Sequence, residues 1–151
     1  MKNRPIGKAL YKWRQSDSYK TPDSIHWFVW LIENPKSPIC LAGASDLYTH
    51  DCIHIVLNKL GMDNVSEAYV IGFTMGNSAK AHQDWRFRAF LWIALNLYPE
   101  GYRFDGHCEH AFYSGWDQGY LKFKRDICKF PFMYSQDLNN LRKLWALNVM
   151  D

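Results

Sequence analysis

The sequence predicts an all-α protein, a single-domain helical bundle of about five to six helices. Three observations lead to this prediction. Apolar residues recur near the 3.6-residue period, breaks containing proline or glycine separate the periodic segments, and no segment alternates apolar and polar residues as a half-buried strand does. Hydrophobic residues make up 48% of the 151-residue chain and aromatic residues 17%, so we expect a packed core rather than disorder.

Residues 1–23 form a basic segment that we interpret as a solvated arm, and residues 24–151 form the predicted helical domain. The first twenty residues contain a single acid and six cations, which are Lys2, Arg4, Lys8, Lys12, Arg14 and Lys20. Leu10, Tyr11 and Trp13 are interleaved with these cations. They keep two alternatives open, contact with an anionic membrane surface and a transit peptide.

The first two predicted elements of the domain are an apolar segment and an amphipathic helix. Residues 25–32 are an apolar run, which predicts a buried helix or strand too short to span a bilayer. Residues 47–60 carry an apolar stripe at the helical period, which predicts an amphipathic helix. Ser45 or Asp46 is the expected cap of this helix, and Gly61 is its expected end.

Four further segments complete the predicted bundle. Helices are expected over residues 65–82, 85–97 and 111–126, and a last helix follows Ser135 as its cap. Asp84 is the expected cap of the helix over residues 85–97. That helix is apolar almost all round, so we expect it to be central in the bundle.

The helix over residues 47–60 carries the strongest candidate site. His50 and His54 are four residues apart, so they stand about one turn apart on one helix face and can share a divalent ion. Glu67 lies thirteen positions after His54, and a turn between them would bring its carboxylate beside the histidines. The alternative is that Glu67 belongs to a capping box that begins at Asn64.

Two other patterns are weaker. Gly72 and Gly76 form a G-x-x-x-G pattern, which in a soluble protein indicates a close helix contact or a space for a ligand. A second group of potential metal ligands lies later in the chain, but its spacing fits no familiar metal site. It consists of Asp105, His107, Cys108, Glu109 and His110.

Composition excludes several classes of protein. A net charge of +3 does not indicate a nucleic-acid partner. The chain has four cysteines, which are Cys40, Cys52, Cys108 and Cys128. They are scattered without a C-x-x-C pair, which favours reduced thiols and a cytoplasmic protein. No apolar run approaches the roughly 20 residues of a membrane span. We therefore expect a cytoplasmic protein that is at most peripheral on a membrane.

Four blocks of the sequence resemble one known family. His50, Asp51 and His54 together with Glu67 are similar to the H-D-x-x-H…E signature of the ubiquinone (coenzyme Q) biosynthesis protein 4 family. The other blocks follow in the same order: residues 66–74 resemble its G-E-A-x-x-x-A-F-T, residues 111–119 its A-x-x-x-G-x-x-x-G, and residues 138–144 its L-x-x-L-R-x-x-L. The similarity extends over roughly residues 45–147. The 49 residues before the motif are fewer than the family usually has, and the gap to Glu67 is one residue longer.

The resemblance implies an all-α fold, a divalent ion and a groove for an isoprenoid tail. The implied metal ligands are His50, Asp51, His54 and Glu67. Zinc is the expected ion, with iron and manganese as alternatives because the ligand set mixes imidazole and carboxylate. The residues assigned to the lipid are Gly72, Phe73, Gly76, Gly115 and Gly119.

The resemblance also implies a role in ubiquinone or prenylquinone biosynthesis. The implied reaction is oxidative decarboxylation, a lyase-type step, at ring carbon 1 of a polyprenylated hydroxybenzoate. The expected partners are a prenylated aromatic or isoprenoid lipid, a membrane surface, and a homodimer or quinone-biosynthesis complex, without nucleic acid.

Two alternatives remain open. The first is a non-catalytic lipid-binding or scaffold protein of the same fold. The second is an HD-type phosphohydrolase, which would recruit His26 and either Asp84 or Asp105 in addition to the His-Asp pair.

Overall fold

The computed structural model describes residues 4–17, 19, 27, 34–38, 43–61, 63–80, 85–122 and 125–145. These residues form six α-helices and no strand, so the predicted all-α bundle is confirmed. The helices are α1 (Ile6–Arg14), α2 (Leu47–Leu57), α3 (Asn64–Asn77), α4 (Arg86–Asn96), α5 (Gly106–Tyr120) and α6 (Leu138–Leu144). Two short 3₁₀ helices, Glu100–Tyr102 and Ile127–Lys129, lie in the connections. The predicted apolar element over residues 25–32 lies, apart from Trp27, outside the described residues.

The basic N-terminal segment contains a packed helix. Ile6, Leu10 and Trp13 repeat at the helical period on one face of α1, and all three are buried in a hydrophobic cluster. The basic residues lie on the other faces of the helix. The interpretation of this segment as a solvated arm is therefore wrong for Ile6–Arg14, because its three large apolar side chains outweigh its charge.

The core consists of two hydrophobic clusters. The first joins α1, α2 and α6 to residues near the second 3₁₀ helix, and it runs from Ile6 to Trp145 along the sequence. The second joins α3, α4 and α5. α3 contributes to both, since Val70 and Phe73 belong to the first cluster whereas Ile71 and Met75 belong to the second. α3 therefore lies between the two halves of the core.

Glycines bring α3 and α5 into close contact. At four glycines, an added Cβ atom would collide with the main chain of the facing helix. These are Gly72 and Gly76 of α3 and Gly115 and Gly119 of α5. The predicted close helix contact is confirmed. The lipid assignment of these glycines is corrected, because the backbone of the partner helix occupies the space beside them. Phe73, also assigned to the lipid, is fully buried in the first cluster.

The helix that carries the histidines is capped at both ends. The Asp46 carboxylate accepts a hydrogen bond from the Thr49 amide at 3.1 Å, so Asp46, one of the two predicted caps, is the N-cap of α2. The helix ends at Leu57 rather than near Gly61, with Asn58 in the left-handed conformation at φ 55°.

The later helices begin at different residues from those predicted. α5 starts at Gly106, five residues before the predicted start, because the Asp105 carboxylate caps it by accepting from the Cys108 amide. α6 is capped by Asp137 and not by Ser135. The predicted cap Asp84 lies outside the described residues. Within the described part of the chain, no helix has the length and apolar character needed to cross a membrane.

Candidate metal centre

Two helices and the turn between them assemble the candidate site. His50 and His54 lie one turn apart on α2, with ring centroids 4.7 Å apart. The chain reverses after Asn58, and Asp63 starts α3, so that Glu67 falls in the first turn of that helix. One ligand atom from each histidine and one from Glu67 lie within 4.8 Å of one another. The predicted approach of Glu67 to the histidines is thus present.

The two histidine–glutamate separations are close to those found around a tetrahedral divalent ion. Nε2 of His50 is 3.6 Å from Oε2 of Glu67, and Nε2 of His54 is 3.3 Å from Oε1. Two ligand atoms that are each 2.0–2.1 Å from a tetrahedral zinc ion lie about 3.3 Å apart. Each histidine faces a different oxygen of the same carboxylate.

The hydrogen bond on the far side of the His54 ring fixes its tautomer. Nδ1 of His54 is 2.6 Å from the main-chain carbonyl oxygen of Lys59. Because a carbonyl oxygen can only accept, Nδ1 carries the proton and the neutral ring presents a lone pair at Nε2. Nε2 is buried and makes no hydrogen bond of acceptable geometry, although Glu67 is within ion-pair distance. A lone pair facing a carboxylate is repulsive unless a proton or a metal ion lies between them.

The pKa values of the two histidines move in opposite directions. Burial lowers the pKa of His50, and the charge of Glu67 only partly offsets this. Burial also opposes the charged form of His54, but the negative charge of Glu67 and the Lys59 carbonyl outweigh it and raise the pKa of His54. Glu67 therefore stabilises a positive charge beside it, whether that charge is a proton on His54 or a bound cation.

The site is partly open to solvent. The side chain of His54 is fully buried, whereas those of His50 and Glu67 are 27% and 24% exposed. A metal ion held by these three residues would keep a fourth position toward solvent. Three protein ligands with an open position are typical of catalytic zinc sites, while structural sites have four protein ligands.

Asp51 does not join the three ligands. Its side chain is 2% exposed, and Oδ2 accepts hydrogen bonds from the Arg14 guanidinium at 2.8 Å and from the Tyr19 hydroxyl at 3.0 Å. Asp51 is turned about 100° around the helix from His50, so it faces α1 rather than α3. The expected role of Asp51 as a ligand is therefore corrected to an ion pair with Arg14.

Trp13 also lies beside the site, where the sequence did not predict it. Its indole ring stacks on His54, with centroids 5.4 Å apart and planes 27° from parallel. The only sequence signal for this contact was the spacing of four and three residues on the buried face of α1, which the surrounding positive charge obscured.

The remaining candidates lie elsewhere. Asp63, and not Asn64, caps α3 through the Ser66 amide, so the predicted capping box that would hold Glu67 is wrong. Asp105 is a helix cap, and residues 103–110 contribute to no metal-ligand cluster among the residues that the structure describes. His26 lies outside those residues.

No protein-family model, no curated protein and no solved structure matches the chain. The geometry of His50, His54 and Glu67 is therefore the basis of the functional argument.

Proposed function

We propose that the protein binds one divalent metal ion through His50, His54 and Glu67, and that this ion is the centre of an enzyme active site. The observation that carries the proposal is the position of the two Nε2 atoms at one carboxylate: that of the buried His54 lies 3.3 Å from one oxygen of Glu67, and that of His50 lies 3.6 Å from the other. Zinc fits a site with two imidazoles and one carboxylate, and iron and manganese are the alternatives.

The open side of the site supports an enzymatic role. A divalent ion supplies Lewis acidity, which stabilises negative charge that develops on a bound carboxylate or phenolate. The partly exposed His50 and Glu67 leave access to this position, while the buried His54 anchors the site.

For the substrate we propose a polyprenylated hydroxybenzoate, and for the reaction an oxidative decarboxylation at ring carbon 1 in ubiquinone or prenylquinone biosynthesis. The support is the resemblance of four ordered sequence blocks, of which the His50-Asp51-x-x-His54 block coincides with the candidate metal centre. The resemblance implies four metal ligands, but Asp51 is paired with Arg14, so we propose only the other three.

A lipid-binding or scaffold protein without catalysis is the second candidate. A groove of about 450 Å³ favours it, since most of the groove wall is apolar. The groove lies between α4 and α5 and is lined by Phe87, Arg88, Leu91, Trp92, Leu95 and Tyr113. Because the close α3–α5 contact leaves no space for a ligand at its glycines, an isoprenoid tail would bind in this groove.

The two candidates respond differently to one substitution. In the scaffold protein, Trp92→Ala weakens binding of an isoprenoid alcohol while metal removal leaves it unchanged. Trp85→Ala is the matched control, because Trp85 is also exposed but does not line the groove. An unchanged affinity in Trp92→Ala removes the groove as the lipid site.

The HD-type phosphohydrolase is not proposed. The Asp51 carboxylate that such an enzyme needs at its metal is paired with Arg14. Asp105, one of its two candidate partners, caps α5.

The test of the metal proposal is elemental analysis of purified wild-type protein beside His54→Ala and Glu67→Gln. We expect about one zinc, iron or manganese per chain in the wild type and a loss of most of it in both variants. His110→Ala is the matched control, since His110 is an exposed histidine on α5. Metal that persists in His54→Ala, or a wild type that binds none when zinc is supplied, would contradict the proposal.

A further inference from the structure

We infer that α1 is a positioning element of the metal centre: Trp13 holds the ring of His54 in its metal-binding orientation, and the Arg14–Asp51 ion pair holds α1 in place. The inference rests on the proposed metal site and deepens it. It assigns roles to residues that bind no metal themselves.

His54 is held on two sides. Its Nδ1 bonds the Lys59 carbonyl at 2.6 Å, which prevents the ring from flipping. Trp13 covers one ring face at a centroid distance of 5.4 Å, which limits tilting about the side-chain bonds. Nε2 is thereby directed at Glu67, where the ion would bind.

Trp13 is itself fixed by contacts on either side. Its indole N–H donates to the Leu60 carbonyl oxygen at 2.8 Å, one residue after the carbonyl that holds His54. The ring of Tyr19 meets it edge-on at 5.1 Å. The segment after α2 therefore ties the histidine and the tryptophan to the same short stretch of backbone.

The ion pair then locks α1 against α2. The Arg14 guanidinium donates through Nε at 2.8 Å and Nη2 at 2.5 Å to one oxygen of Asp51, and Tyr19 donates to the same oxygen at 3.0 Å. Asp51 directly follows His50 in α2. The pair thus fixes α1 beside the turn of α2 that carries the ligands, and the negative charge of Asp51 is compensated without a metal ion.

Outer contacts of this kind have a measurable effect on metal affinity. Loss of a group that orients a metal-binding histidine typically weakens metal binding about 10- to 100-fold. We expect Trp13→Leu to weaken zinc binding by about this factor. Trp13→Phe keeps a ring over His54 but loses the indole N–H, so its affinity should fall between those of Trp13→Leu and the wild type.

The experiment is a competition titration of zinc with a chelator on full-length protein, with Co²⁺ absorption spectra recorded on the same variants. The spectrum reports ligand geometry, which a general loss of stability would not change. Trp85→Leu is the matched control, because Trp85 is exposed and belongs neither to the metal cluster nor to the groove lining. Asp51→Asn should retain one zinc per chain with reduced affinity, in contrast to His54→Ala.

Three results would overturn the inference. The first is a folded Trp13→Leu with wild-type zinc affinity and an unchanged Co²⁺ spectrum. The second is an Asp51→Asn protein that loses its metal as completely as His54→Ala while Arg14→Met retains full affinity, since Asp51 would then be a ligand. The third is a wild type without metal, which removes the metal proposal as well and is thus distinguishable from the other two.

Arg14→Met keeps the test decisive if Trp13→Leu does not fold. The Arg14 side chain is 32% exposed, so its loss releases the ion pair without a large core cavity. Weaker zinc binding in folded Arg14→Met supports the inference, and unchanged binding in both Arg14→Met and Trp13→Phe contradicts it.

Discussion

Gly72 of α3 packs directly against the main chain of Phe112 in α5, with no space for even a methyl group between them. The contact joins two of the longest described helices and recurs one turn later at Gly76. Because backbone cannot yield as a flexible side chain does, the spacing of the two helices depends on these glycines.

We expect Gly72→Ala to destabilise the fold by about 1–3 kcal/mol, since the added methyl group must separate two packed helices. Chemical denaturation measures this free energy of unfolding. Gly106→Ala is the control, because Gly106 lies in α5 with no atom within 4 Å of an added Cβ. It should be neutral or slightly stabilising. Equal stability of the two variants would contradict the contact.

A buried cation caps the end of the helix that carries the histidines. The Arg142 guanidinium donates to the carbonyl oxygens of Val56 at 3.3 Å and Ile55 at 3.2 Å. Arg142→Met should reduce the free energy of unfolding by about 2–3 kcal/mol, because these carbonyls lose a charged partner. Lys143→Met is the control at the exposed neighbouring position. Thermal unfolding of both variants with unchanged midpoints would refute the role of Arg142.

Asp46 predicts a pH dependence of stability. Hydrogen bonds from Thr49 outweigh the effect of burial and lower the pKa of Asp46 below its usual value. Its contribution to stability is therefore complete above the unfolded-state pKa of about 3.9 and is lost as the pH falls through the lower folded-state value.

Asn also caps helices but cannot ionise, so Asp46→Asn isolates the charge. We expect the variant to be less stable than the wild type by about 0.5–1 kcal/mol at pH 7 and the difference to shrink below about pH 4. Urea unfolding across this range measures it, with Asp117→Asn, an exposed position within α5, as the control. A difference that stays constant with pH would contradict the role of the charge.

Metal binding should also increase the free energy of unfolding. At a free zinc concentration of 100 times the Kd, the folded state gains about 2.7 kcal/mol, equivalent to a rise of about 5–10 °C in Tm for a chain of this size. Chelation should reverse the rise. His54→Ala should show neither effect, and His110→Ala should show both. A rise of equal size in His54→Ala would indicate zinc binding elsewhere.

The sequence was sufficient for features that one helix determines alone. The 3.6-residue period placed His50 and His54 on one face of α2, and the N-cap Asp46 was one of the two candidates before that helix. Glu67 becomes their neighbour only through the turn before α3. The sequence indicated this turn, but it left open whether Glu67 is a metal ligand or part of a helix cap.

Features that depend on distant parts of the chain could not be predicted. Asp51 was expected as a ligand from the family resemblance, but its partner Arg14 is 37 residues earlier in the sequence. Trp13 lay in a segment whose positive charge indicated a solvated arm. Local patterns do not report which element covers a given face of a helix, so both assignments required the three-dimensional arrangement.

The division of the core into two clusters has a consequence for the order of folding. The second cluster uses only residues 68–116, whereas the first needs both Ile6 and Trp145. Contacts that are close in sequence form early, so the half built on α3–α5 can form before the first cluster. Pulse-labelling hydrogen exchange should accordingly protect Phe112 before Ile53. Glu67 would then be in place early, and the histidines would join it as the first cluster forms.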